Sequence, residues 1–146
     1  MHCHVYLRKG TVFIPTSGVV HKGLHRDVEP VAVVAASDTK AMREALRATI
    51  ARGNPPTPHY PRGTYPKPIV LKYAGEKSWA AFARDALPWS VKERDGSFQI
   101  VGKRKHPDGW VEDPERKVEF PPGSTVDQVI DRMIAILQDA ARQQSN

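Results

Sequence analysis

The sequence predicts an α/β (α+β) fold: a mixed sheet of about seven strands with helices packed against it, built from two pseudo-repeated strand–strand–strand–helix units. Three observations carry this. Two turn pairs, Lys9-Gly10 and Asp95-Gly96, each sit between β-prone runs. Two amphipathic stretches, one ending near Arg52 and one near the C-terminus, have helical spacing. The sequence also matches itself at an offset of 86 residues.

The elements follow in order. Cys3 to Arg8 and Thr11 to Pro15 read as a hairpin, since glycine supplies the positive φ of a tight turn. A polar loop is expected from Thr16 to Arg26. Val28 to Ala35 is nearly continuous apolar after Pro30, the pattern of a strand covered on both faces. Pro30 lacks a donor and belongs at the strand's start or at a bulge. Ser37 or Asp38 caps a helix running to about Arg52, with Met42, Ala45, Leu46, Thr49 and Ile50 on one face. Residues 54–68 hold Pro55, Pro56, Pro58, Pro61, Pro66 and Pro68 and form an extended connector, which Tyr60 and Tyr65 can pin to the body.

Ile69 to Tyr73 reads as a short strand, and Trp79 to Arg84 as a short helix capped by Ser78. Trp79 and Trp89 are expected in the core. Trp89 to Arg94 and Ser97 to Val101 form the second hairpin, Pro107-Asp108-Gly109 is a turn, and Lys117 to Phe120 is a strand. A last helix begins at Ser124, with Asp127 as its capping partner, and buries Val126, Val129, Ile130, Met133, Ile134 and Leu137. The chain is expected to be one domain, 1–146. Its repeat units are 1–53 and 87–142, joined by the connector 54–68 and a strand–helix segment 69–86. At the offset Val5 meets Val91, Arg8 meets Arg94, Gly10 meets Gly96 and Ile14 meets Ile100. Asp27 meets Asp113 and Glu29 meets Glu115; after one inserted residue Leu46 meets Met133 and Ile50 meets Leu137.

Composition narrows the function. The hydrophobic fraction of 40% and charged fraction of 26% are those of a globular domain. One cysteine, Cys3, excludes an internal disulfide. No run approaches the roughly 20 apolar residues of a membrane span, and the N-terminus lacks a signal peptide's apolar core, so a cytoplasmic protein without membrane contact is expected. The formal net charge of +6 points to acidic partners, although 22 Lys and Arg are interleaved with 16 Asp and Glu.

Chemistry-bearing motifs are few. No nucleophile elbow, phosphate loop or dinucleotide fingerprint is present, so no catalytic residue and no cofactor is assigned. On a strand His2 and His4 face one side and Cys3 the other. A structural zinc site needs four ligands, so no metal is expected and Cys3 is read as buried. The partner-like feature is the basic loop Lys103, Arg104, Lys105, His106 to Trp110, because Trp and Arg dominate interface energies. Asp27 and Glu29, with Glu112, Asp113 and Glu115, sit at matching positions of the two units and could form an acidic patch.

In order along the chain, several segments resemble immunity proteins of bacterial contact-dependent growth inhibition systems. They are Phe13-Ile14-Pro15, Asp27-Val28-Glu29-Pro30-Val31, Leu71-Lys72-Tyr73, Lys77-Ser78-Trp79 leading to Phe82, Ser90-Val91, Asp95-Gly96 and Val118-Glu119-Phe120-Pro121. The resemblance covers most of the chain. It implies a cytoplasmic stoichiometric inhibitor, not an enzyme, that binds the C-terminal toxin domain delivered by a neighbouring cell. Such toxins are often nucleases, and no catalytic residue carries over. A basic inhibitor of a cationic nuclease domain is electrostatically awkward. Either the toxin has an acidic face, or a local acidic patch binds it, or it is no nuclease. The alternative is a nucleic-acid-binding domain using the basic loops. Long edge strands leave both a monomer and a homodimer open.

Overall fold

The computed structural model describes residues 1–145, Lys22 by its backbone alone. Six strands form one antiparallel sheet: β1 (His2–Arg8), β2 (Thr11–Val19), β3 (His25–Ala35), β4 (Ala86–Arg94), β5 (Ser97–His106) and β6 (Gly109–Glu119). Their order is β3-β2-β1-β4-β5-β6. Four helices accompany them: α1 (Thr39–Arg52), α2 (Val70–Ala74), α3 (Trp79–Asp85) and α4 (Val126–Gln144).

Both expected hairpins form. Lys9 and Gly10 have φ of 52° and 77°, Asp95 and Gly96 of 54° and 77°. This is the twist-matched turn that joins strands through two residues. The sheet is therefore two meanders, joined where β1 lies antiparallel to β4 from His2↔Lys92 to Arg8↔Ala86.

Several expectations need correction. The sheet is antiparallel throughout its ladders, not mixed, and has six strands, not seven. The missing strand is Ile69–Tyr73, which folds as the one-turn helix α2, closed by Gly75. A short apolar run cannot be told from a buried helical turn by periodicity. Here Val70 and Leu71 dock on Tyr6 and Phe13 of the sheet.

The polar loop expected at 16–26 is mostly strand. β2 continues to Val19, and Ser17 pairs with Asp27. β3 is an edge strand rather than a doubly covered one, and leaves Val33 43% exposed. Pro30 does fall at an irregularity: Pro15 pairs with Val31 and Thr16 with Val28, leaving Glu29 and Pro30 unpaired. The cap of α4 is Thr125, not Ser124. Its side chain accepts from the Gln128 N–H while the Gln128 side chain accepts from the Thr125 N–H, the reciprocal pair that glutamine at this position favours. Asp38 caps α1 as expected.

Each face of the sheet has its own cover. Cys3, Val5 and Leu7 of β1 point with Val12, Ile14, Trp89, Val91 and Ile100 toward α1 and α4, whose Met42, Leu46, Val129, Ile130, Met133 and Leu137 complete the main core. On the opposite face a smaller core of Tyr6, Phe13, Val70, Leu71, Phe82 and Ala86 lies under α2 and α3. Trp89 is core, as expected; Trp79 is only half-buried and packs beside this smaller core.

The proline-rich connector does more than span a distance. β1 and β2 pair only from Tyr6 to Arg8, then part, and Asn54 fills the gap. Its Nδ2 donates to the His2 and Ser17 carbonyls at 2.7 Å each, and its Oδ1 accepts from the His2 N–H. Pro55 and Thr57 then pair with Val19. Arg26 lies over Tyr60 and Tyr65, at 4.7 and 5.3 Å from the ring centres, so the two tyrosines do fasten the connector to the sheet.

Candidate functional site

The expected basic loop is the end of the β5–β6 hairpin. Lys103, Arg104, Lys105 and His106 close β5, and Trp110 opens β6. Their strands carry most of them into a groove of about 540 Å³ that also takes in Lys9, Arg84, Asp85, Leu87, Arg116 and Gln144. The Lys105 ammonium lies 5.8 Å from the Trp110 ring centre and donates to the Arg84 carbonyl. Arg116 stacks over Trp89 and donates to the Lys103 carbonyl. The one carboxylate in the groove, Asp85, is already approached by Lys9 at 3.8 Å and Arg8 at 3.9 Å. His106 stays outside, turned to the Asp108 N–H.

A second cluster lies on the sheet face opposite α1 and α4. His2, His4 and Tyr6 alternate with the core residues of β1. His4 Nδ1 and the Tyr6 hydroxyl meet the two carboxylate oxygens of Asp27 at 2.6 Å each. The His2 ring sits 4.5 Å from that of His4 and 4.4 Å from that of His25. Burial works to raise the Asp27 pKa, but the hydrogen bond and charge of His4, with Tyr6 and His2, hold it below the usual value. Burial and the charges of His4, His25, Lys92 and Lys103 bring His2 down to about 3. Burial, then Asp27, pushes Tyr6 well up. Lys103 is lowered by burial and by Lys92, and feels Asp27 and Glu112 in the opposite sense.

Chemically, the Asp27 contact fixes the orientation of His4, the role a carboxylate plays in a triad. No serine or threonine hydroxyl bonds to His4 among the described residues. Nor do three His, Cys, Asp or Glu side chains there converge as metal ligands. Cys3 points into the main core, and burial pushes its thiol up to about 12. Beside Asp27 a cleft of about 720 Å³ opens between the sheet and the connector, lined by Tyr6, Trp79, Tyr60, Tyr65 and Arg26 among others.

No family model matches the sequence, and no curated protein matches it. Solved structures do match, nearly end to end. A protein of unknown function from Neisseria meningitidis is 11% identical with a TM-score of 0.61, over 96% of this chain and 92% of that one. A chain of the CdiA-CT/CdiI toxin and immunity complex from Yersinia pseudotuberculosis is 10% identical with a TM-score of 0.58, over 98% and 95%. The likeness is one of fold.

The five expected acidic residues do not gather at one place. Asp27 is occupied by His4 and Tyr6. Glu29 accepts from Tyr73 and Lys72, which lowers its pKa. Glu112 is paired with Lys92. Asp113 accepts the Glu115 N–H, a local turn bond. β3 and β6, which carry these residues, are the two outer strands of the sheet. Sequence reasoning missed Lys9, Arg84 and Arg116, which are distant in the chain and meet only through strand order. Alternation placed His2 and His4 on one face, but sequence reasoning did not extend that face to Tyr6 and Arg8 or find its partners Asp27 and His25. Among the described residues no helix is long and apolar enough to cross a membrane.

Proposed function

We propose that this chain is an immunity protein, a stoichiometric inhibitor that binds the toxin domain encoded beside it and performs no catalysis of its own. The observation that carries the reading is the end-to-end fold likeness to a chain of a toxin and immunity complex. The ordered motifs from Phe13-Ile14-Pro15 to Val118-Glu119-Phe120-Pro121 support it independently. In this reading the protein works in the cytoplasm, and the toxin is delivered from a neighbouring cell. The same reading takes the halves as copies of one unit. Supporting that are their shared order, β1-β2-β3-α1 and β4-β5-β6-α4, and the position of β1 and β4 at the middle of the sheet.

Co-expression tests the proposal. The adjacent toxin domain should arrest growth alone, be neutralised by this chain, and co-purify with it at one to one. Unchanged toxicity without co-purification overturns the reading.

A further inference from the structure

The groove at the start of β4 gathers six basic residues from four elements of the fold. Lys9 from the first turn, Arg84 from α3, Arg104 and Lys105 from β5 and Arg116 from β6 line it with one carboxylate, Asp85; Lys103 of β5 lines it too but also feels Asp27 and Glu112. Arg84, Lys103 and Arg104 have no carboxylate within salt-bridge distance among the described residues. Trp110 and Leu87 give the same groove an apolar floor. Cations held this close repel one another, so a partner that brings negative charge relieves that repulsion as well as making contacts.

Two anionic occupants are conceivable, a nucleic-acid backbone and a protein segment, and the surroundings choose between them. A backbone is a continuous line of phosphates and needs a continuous basic track. This groove is a local feature of about 540 Å³ rather than a long track. On β6, beyond Glu112, which lies across from Lys103 in the β5–β6 ladder, stand Asp113 and Glu115, neither of them ion-paired among the described residues. A phosphate chain leaving the groove would run onto these carboxylates. Two or three Asp or Glu side chains around one apolar residue fit within it.

Resting on the protein-binding reading above, we propose that this groove is the docking site for a short acidic segment of the partner protein, with an apolar side chain of that segment seated on Trp110. A cationic chain is then complementary to its target without mimicking nucleic acid, because the contacted face of the target is acidic.

The test uses a short fluorescein-labelled peptide, Glu and Asp around one Leu, titrated by anisotropy at two salt concentrations. The controls are its Gln/Asn counterpart and a single-stranded RNA of equal length. The acidic peptide should bind, weaken as salt rises, and outcompete both controls. The exposed pair Arg84→Glu and Arg104→Glu should cost about tenfold or more. Arg47→Glu on the opposite helical layer should leave binding unchanged. Arg84→Gln with Arg104→Gln serves if the reversal disturbs folding. RNA binding as tightly as the peptide, or peptide binding untouched by the groove variants, overturns the proposal. Neutralisation assays separate the two readings. Wild-type failure to protect sinks the immunity function, whereas full protection by the groove variants sinks only the groove.

Discussion

β1 shows two solutions to burial within seven residues. On one side Cys3, Val5 and Leu7 pack into the main apolar core, and two long helices seal them in. On the other side His2, His4, Tyr6 and Arg8 are nearly as enclosed, yet every one is polar and depends on a named partner. The first side needs only apolar groups of the right volume, and tolerates exchange among them. The second needs specific partners from β2, from β3 and from the segment before α3, since a buried polar group without one is costly. Stability therefore concentrates on the helical side, and chemical individuality on the other.

Removing bulk from the helical side should produce the largest loss. Leu137→Ala, at a fully buried position of α4, should cost about 3 kcal/mol in urea unfolding. A loss near zero would mean that α4 is not sealing the sheet. On the polar side Asp27→Ala should cost about 2 kcal/mol, since it strands both His4 and the buried Tyr6 hydroxyl. A double-mutant cycle with Tyr6→Phe should show coupling; strict additivity would dissolve the network.

Gly18→Ala should come next, at about 1 kcal/mol, because a Cβ there would stand 1.7 Å from the Thr57 hydroxyl and 2.8 Å from its Cβ. Limited proteolysis should then cut faster within residues 54–68 while the cores stay protected.

A pH dependence is expected as well, confined to the polar side. Asp27 has a lowered folded-state pKa, so its contribution is present above the ordinary value of 3.8 and lost as pH falls through the folded one. His2 is held near 3 against an ordinary 6.5, so the unfolded chain binds the extra proton between those values. Stability should therefore decline as pH falls from 6.5 toward 3. His2→Asn should flatten the upper part of that decline; an unchanged profile would show that His2 carries none of it.

The helical side was legible in the sequence and the polar side was not, for a physical reason. Met42, Leu46, Val129, Met133 and Leu137 announce a buried face by spacing alone, because apolar packing is unspecific as to partner. Asp27 reads as a solvated loop charge until β3 is seen to bring it to His4. Strand order, not composition, also gathers Lys9, Arg84 and Arg116 around Lys103. The error at Ile69–Tyr73 has the same root: an apolar pentapeptide takes whichever backbone its docking surface selects. Lys103, Arg104, Lys105 and Trp110 were found because they are neighbours in the chain.

The seam between β1 and β4 has a consequence for synthesis. β1 leaves the ribosome well before β4 and must wait for residues 86–94 before its outer backbone groups are paired. At ordinary translation rates that interval is on the order of several seconds. Meanwhile the nascent N-terminal half presents an open ladder edge and an apolar surface not yet roofed by α4. Chaperone occupancy during translation should therefore peak before β4 emerges and fall once it docks.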